Sequence, residues 1–331
     1  MLLLCSIMPF TACTSTEDEP YKPETEQPSD DPNNNEEEDN DTTPVYGHLT
    51  TANTVSDVVN HEAFNEFGRF ILPAERSYNV NMTLQNVASM LPYHNYITGE
   101  RAVETINTMV DYVHDGNTLF YDIYSDADKQ ADSRKNNTGL FFFRGEPGKP
   151  FAIVCPGGGF SYVGAIHEGF PLAIALSKMG YNAFSIQYRT GGAQVACEDL
   201  AGAIDFIMRH AEELQVSTDD YSLWGGSAGA RMAAYLGSYG TQGFISAVHP
   251  RPATVVMGYT GHSDYTRNDP PTYVVIGDND AIASASVMRQ RVENLQAIGI
   301  DAEFHLFPNL RHGFGLGIGT SAEAVSYTHL R

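Results

Sequence analysis

From about residue 118 onward, short continuous apolar runs alternate with segments whose apolar residues recur at helical spacing. The runs at 151–155, 183–188, 221–224, 254–257, 273–276 and 303–307 predict strands. Between them, 171–179, 200–214 and 286–298 predict helices, the second carrying Leu200, Ala203, Ile204, Ile207, Ala211 and Leu214 on one face. Strands that are apolar throughout, rather than at alternate positions, are buried on both faces, as in a parallel sheet covered by helices. The recurrence of strand, helix and strand therefore predicts an α/β fold with a mostly parallel, doubly wound sheet. Ligands on such sheets bind beyond the carboxyl ends of the strands, so residues just after a strand are the first candidates for chemistry.

The preceding segment, 45–117, has a different pattern. Helix-like stretches near 84–90 and 101–113 are interspersed with Phe64, Phe67, Phe70, Tyr93 and Tyr96. Two readings stay open for this N-terminal helical extension: a layer packed on the sheet for stability, or a cap over the site. Upstream, residues 14–43 hold twelve Asp or Glu against one Lys, which accounts for about half of the net charge of −22. A stretch so acidic and so poor in large apolar residues cannot bury enough surface to order itself, and 14–44 is expected to be a disordered linker. Residues 1–13, MLLLCSIMPFTAC, are too short an apolar run to span a bilayer and suit the core of a signal peptide. They resemble a bacterial lipoprotein signal with Cys13 as the lipidated residue, and the acidic Glu17, Asp18 and Glu19 resemble a surface-export signal of Bacteroidetes lipoproteins. That resemblance implies a lipid-anchored protein of the bacterial cell envelope, at the outer membrane or cell surface, with the membrane as a partner. No basic stripe is present, so nucleic acid is not expected as a partner. Cys155 ends an apolar run and reads as a small buried core residue, and neither it nor Cys197 neighbours a CxxC or a His cluster with metal-ligand spacing.

Three motifs carry candidate chemistry. The strand at 221–224 runs into Gly225-Gly226-Ser227-Ala228-Gly229 and then a helical pattern, the context of a nucleophile elbow. Glycine is required there because any side chain at Gly225 or Gly229 would strike neighbouring backbone. About seventy residues earlier the strand at 151–155 ends in Pro156-Gly157-Gly158-Gly159. Consecutive glycines let backbone N–H groups turn toward a developing oxyanion, and Gly158 and Gly159 are the expected donors, joined by the Ala228 N–H. No Lys-Ser/Thr follows these glycines, which excludes a phosphate loop. Third, Ser227 is followed by GDND at 277–280 and then by Arg311-His312-Gly313-Phe314, giving the order nucleophile, acid, histidine. Asp278 and Asp280 both follow the strand at 273–276, and one of the two is expected to face His312. Such a set transfers acyl groups without a metal or cofactor.

On CPGGGF, HEGFPLAIALSKMGYNAFSIQYR, GGSAG, GDND and HGFG, residues 151–319 resemble bacterial carbohydrate-type esterases of the acetyl-xylan-esterase and BD-FAE group. This group of α/β-hydrolases lies near the hormone-sensitive-lipase branch, whose HGGG is replaced here by PGGG. The resemblance implies an α/β-hydrolase domain over 118–325 and cleavage of short acyl groups, often acetyl, from glycans or small esters. It also places the acid three residues after Gly277, at Asp280, completing a Ser227, His312 and Asp280 triad. Two other functions remain as alternatives: a prolyl-oligopeptidase-like peptidase, for whose usual β-propeller the chain has no room, and a catalytically silent glycan-binding lipoprotein. Residues 326–331, SYTHLR, resemble translated adapter sequence; they are expected to be a non-native tail that leaves apolar sheet surface uncovered.

Overall fold

The computed structural model describes residues 46–73 and 75–323. The expected signal at 1–13 with its Cys13, the linker at 14–44 and the tail at 326–331 lie outside the described residues. Eight strands form a single sheet: β1 (Phe120–Tyr121), β2 (Gly139–Phe143), β3 (Pro150–Cys155), β4 (Asn182–Gln187), β5 (Ser217–Gly226), β6 (Thr254–Gly258), β7 (Thr272–Gly277) and β8 (Ala302–Phe307). Their spatial order is β1-β2-β4-β3-β5-β6-β7-β8. Strands β3 to β8 are all parallel, whereas β2 runs antiparallel to β4 and β1 antiparallel to β2. The helices are α1 (Val55–Val59), α2 (Gly99–His114), α3 (Asp126–Ala131), α4 (Phe170–Lys178), α5 (Ala193–Arg209), α6 (Ala211–Leu214), α7 (Ala228–Tyr239) and α8 (Ala285–Ala297).

All six predicted strands are present, each close to its expected span. The antiparallel strand β2 was not among them, although Leu140 to Phe143 is a continuous apolar run and every residue of the strand is buried. Phe142 stacks on Phe184 of β4 at 4.2 Å, and Phe141 meets Phe170 of α4 edge-on at 4.6 Å. The helix predicted at 200–214 begins earlier, at Ala193 just past Gly191-Gly192, and breaks at His210. Its Asp199 is fully buried and grips Arg189 beyond β4, while Tyr124 donates to the same carboxylate at 2.6 Å. This buried pair fixes α5 against the sheet.

The extension joins the common core. A capping box between Thr54 and Asp57 starts α1, and the buried face of α2 includes Ala102, Ile106, Met109 and Val110. Residues Asn65–Phe70 and Leu84–Met90 are short 3₁₀ helices. Phe67 and Phe70 stack on Phe120 of β1, which covers that edge of the sheet. One stretch of the extension, residues 93–96, instead reaches the carboxyl ends of the strands.

On the face that carries α4, the strands beyond that helix are left open. A groove of about 450 Å³ lies there, with Val154, Trp224, Val256, Val275 and Phe307 along its floor and Leu172 and Leu176 of α4 on one wall. Apolar sheet surface is thus uncovered among the described residues. The groove runs behind the candidate site, and neither Ser227 nor His312 lines it. No helix among the described residues is long and apolar enough to cross a membrane.

Candidate active site

The turn from β5 into α7 is too tight for ordinary residues. A side chain on Gly225 would place its Cβ 2.3 Å from the Gly229 carbonyl carbon, and one on Gly229 would lie 1.8 Å from the Cys155 oxygen. Ser227 itself adopts φ 51° and ψ −114°, a conformation that costs on the order of 1–3 kcal/mol for a non-glycine residue. Its surroundings hold it there: the Ser227 N–H donates to Gly258 of β6 at 2.9 Å. The side chain is thereby presented at the tip, and Ala228 opens α7 with its N–H free of an intrahelical partner.

Two loops bring the other groups to the serine. His312, in the loop after β8, places Nε2 2.9 Å from Ser227 Oγ and Nδ1 2.8 Å from Asp280 Oδ2. Asp280 follows β7, and its other oxygen accepts the N–H groups of Ile282 and Ala283, both at 2.8 Å. The carboxylate is therefore locked by its own turn with one oxygen aimed at the imidazole. An ionised carboxylate only accepts, so Nδ1 carries the proton and Nε2 is left to accept from the serine hydroxyl. Asp278 is used differently: its Oδ1 accepts the Asn309 N–H at 2.6 Å. The two aspartates serve different partners because the chain turns at 278–279, directly after β7.

Pro156 to Gly159 follow β3, and Gly157 lies against Ser227. A Cβ on Gly157 would stand 3.0 Å from the Ser227 Cβ. Gly158 and Gly159 have φ of 138° and 63°, and a Cβ on Gly158 would fall 2.0 Å from the Tyr162 oxygen. Glycine is needed at Gly158 for both reasons. Among the described residues, the N–H groups of Gly158 and Gly159 donate to no protein acceptor, whereas the Gly157 N–H turns away to Glu168 Oε2. All six residues expected from the motifs thus converge on one place at the carboxyl ends of the strands.

Several residues around the site were not anticipated. Glu168, in a π-helical turn (Ala165–Gly169) before α4, is buried together with His94, Tyr162 and Tyr259. Burial alone would raise its carboxyl, but the facing His94 and the Gly157 N–H outweigh that and hold it at about 2. His167 beside it is pushed down to about 4 by burial, reinforced by His94. Asn95 donates to the His312 carbonyl at 2.6 Å, and its own N–H bonds Gly313 at 2.9 Å. Tyr93 leaves 41% of its surface exposed while its ring lies over Gly159 and stacks on Tyr162. Periodicity carries no signal for these positions, because the bonds that tie Tyr93, His94 and Asn95 to the site reach 68 to 217 residues along the chain.

Residues 144–252 match the BD-FAE family model. An acetyl ester-xyloside bifunctional hydrolase from Caldicellulosiruptor lactoaceticus superposes with a TM-score of 0.55 at 19% identity, over 62% of this chain and 93% of that one. Esterase 2 of Thermogutta terrifontis, solved phosphoramylated by tabun, gives a TM-score of 0.51 at 18% identity, over 57% and 85% of the two chains. No curated protein matches by sequence. The fold that these structures share with the chain is that of the α/β-hydrolases. Within it the chain resembles the BD-FAE group, in agreement with the motifs read from the sequence.

Proposed function

We propose that this chain is a serine carboxylesterase that removes short acyl groups, acetyl foremost, from carbohydrate esters through a Ser227 acyl-enzyme. The observation that carries the reading is the unbroken line Ser227 Oγ, His312, Asp280, with the N–H groups of Gly158, Gly159 and Ala228, which donate to no protein acceptor among the described residues, in the segments that adjoin the same serine. His312 Nε2 takes the hydroxyl proton as Ser227 Oγ attacks the acyl carbon. The carbonyl oxygen becomes an oxyanion and accepts the three backbone N–H groups. As the tetrahedral species collapses, the C–O bond to the alcohol breaks and His312 returns the proton to that oxygen. Water then repeats the sequence on the acyl-enzyme, releasing the acid and restoring the serine. Asp280 orients the imidazole and stabilises its charged form throughout.

A sugar as the alcohol is supported by the BD-FAE match, by the acetyl ester-xyloside hydrolase that shares the fold, and by the exposed Tyr93 ring beside Gly159. The test compares p-nitrophenyl acetate, butyrate and palmitate with acetylated xylo-oligosaccharides, and labels Ser227 with a fluorophosphonate. Hydrolysis of the short esters and of the acetylated sugar, with rates falling beyond about eight carbons, is the expected result; preference for palmitate would refute it. Faster cleavage of a prolyl arylamide than of any ester would favour the peptidase instead. Anchoring in the cell envelope through Cys13 rests on the sequence of residues 1–13 and on the acidic residues that follow. Loss of palmitate incorporation and of membrane fractionation in Cys13→Ser is its test.

A further inference from the structure

A carboxylate removed from water costs several kcal/mol unless its oxygens are matched by donors, so a buried glutamate needs a structural reason. Glu168 exposes only 3% of its side chain, and its two oxygens take three donors. Oε2 accepts the Gly157 N–H, while Oε1 takes the Tyr259 hydroxyl at 2.8 Å and His94 Nε2 at 3.0 Å. Each donor is itself held. Tyr259 Oη accepts the Gly315 N–H, and His94 Nδ1 meets the Tyr162 hydroxyl at 2.9 Å, which also accepts the Tyr93 N–H. A hydroxyl both gives and takes hydrogen bonds, so Tyr162 suits any state of His94 that keeps Nε2–H facing Glu168.

The position of this carboxylate matters more than its burial. A Cβ on Gly157 would stand 2.9 Å from Oε2, and one on Gly226 would stand 2.7 Å from the same atom. Glu168 therefore lies against Gly157, which leads into Gly158 and Gly159, and against Gly226, the residue before Ser227, at once. Gly157 is fixed at both ends, its N–H on Glu168 and its carbonyl accepting the Gly164 N–H at 2.8 Å. His94 packs on that closure, since a Cβ on Gly164 would meet its ring at 2.5 Å. Gly157 is thereby immobilised, and the chain enters Gly158 and Gly159, whose N–H groups donate to no protein acceptor among the described residues, from a fixed point.

We propose that Glu168, braced by His94 from the N-terminal extension, is the positioning residue that sets the oxyanion donors of Gly158 and Gly159, so that the extension is part of the catalytic apparatus. The proposal rests on the serine-esterase reading, and the experiment separates the two. Wild-type full-length chain is first assayed on p-nitrophenyl acetate and labelled at Ser227; failure here refutes that reading and not the role of Glu168. Glu168→Gln then replaces an acceptor by an amide N–H that faces donors. Its kcat should fall about a hundredfold with KM changed less than about threefold, because donors are displaced that act mainly in the transition state. Affinity for an acetyl-like trifluoromethyl ketone, which forms the oxyanion adduct, should weaken in proportion to kcat. His94→Leu keeps volume but no donor and should lose about tenfold in kcat, whereas His94→Gln restores an N–H toward Glu168 and should recover most of it. If Glu168→Gln does not fold, the two His94 variants decide. Wild-type kcat in folded Glu168→Gln or His94→Leu would overturn the proposal. So would losses confined to KM with unchanged ketone affinity, or a His94→Gln no better than His94→Leu.

Discussion

Replacing Asp280 by asparagine isolates orientation of the imidazole from everything else that residue does. Asp280 Oδ1 accepts two backbone N–H groups, from Ile282 and Ala283, and only Oδ2 faces His312. An asparagine amide could rotate either way, but its NH₂ end placed against those two N–H groups would orphan two donors, at about 1–3 kcal/mol each. The amide oxygen therefore stays in the turn and Nδ2 is forced toward His312 Nδ1. A donor facing Nδ1 makes that nitrogen an acceptor and moves the ring proton to Nε2, opposite Ser227 Oγ. In that tautomer His312 cannot take the serine proton. Turnover of p-nitrophenyl acetate should drop on the order of 10⁴-fold, with KM nearly unchanged. Because both turn bonds survive, the thermal midpoint should stay within about 2 °C of wild type. Asp280→Ala should show a similar loss of turnover together with a lower midpoint, since it deletes the turn bonds too. A folded Asp280→Asn with kcat within tenfold of wild type would refute this account of the acid.

Asp278→Ala removes one bond to Asn309 outside the triad, so it should cost about 1 kcal/mol in denaturant stability and less than about threefold in turnover. Gly158→Val combines a φ of 138° with a Cβ 2.0 Å from the Tyr162 oxygen, and should lose roughly a hundredfold or more in kcat while still labelling at Ser227; unchanged turnover would displace the oxyanion loop. Asn95→Ala frees the His312 carbonyl and should lower kcat by about threefold to tenfold without altering KM, measured on the same ester. Acid should destabilise the fold from about pH 6.5 downward. Burial lowers the folded pKa of both His167 and His262 to about 4, so the unfolded chain binds more protons between there and the ordinary histidine value. Stability is then complete above that value and is lost as pH falls toward 4, with Glu168 adding a further loss below the ordinary carboxyl range because its folded pKa is about 2. Urea midpoints that stay flat between pH 7 and 4 would contradict this.

The parallel sheet and the places of Ser227, Asp278, Asp280 and His312 just after their strands were all legible in the chain because each depends on local chemistry. Continuous apolar runs mark strands buried on both faces, and the glycines around Ser227 and along Pro156 to Gly159 mark places where backbone approaches too closely for a Cβ. The choice of Asp280 over Asp278 was not local: it came from the family resemblance, and in the structure it follows from the turn at 278–279 that sends Asp278 to Asn309 and Asp280 to His312. What the tertiary structure alone decided is the support beneath these residues. Glu168 sits in a segment that reads as ordinary loop before a helix, and nothing nearby in sequence explains a buried charge. Its partners are His94 from the extension, Tyr259 after β6 and Gly157 after β3. Likewise β2 lacks any helix of its own to announce it, and its place beside β4 is set by aromatic packing with Phe184 and Phe170. Local pattern records what a residue demands of its own backbone, whereas hydrogen-bond donors can come from any distance along the chain, and only folding brings them to the group that requires them.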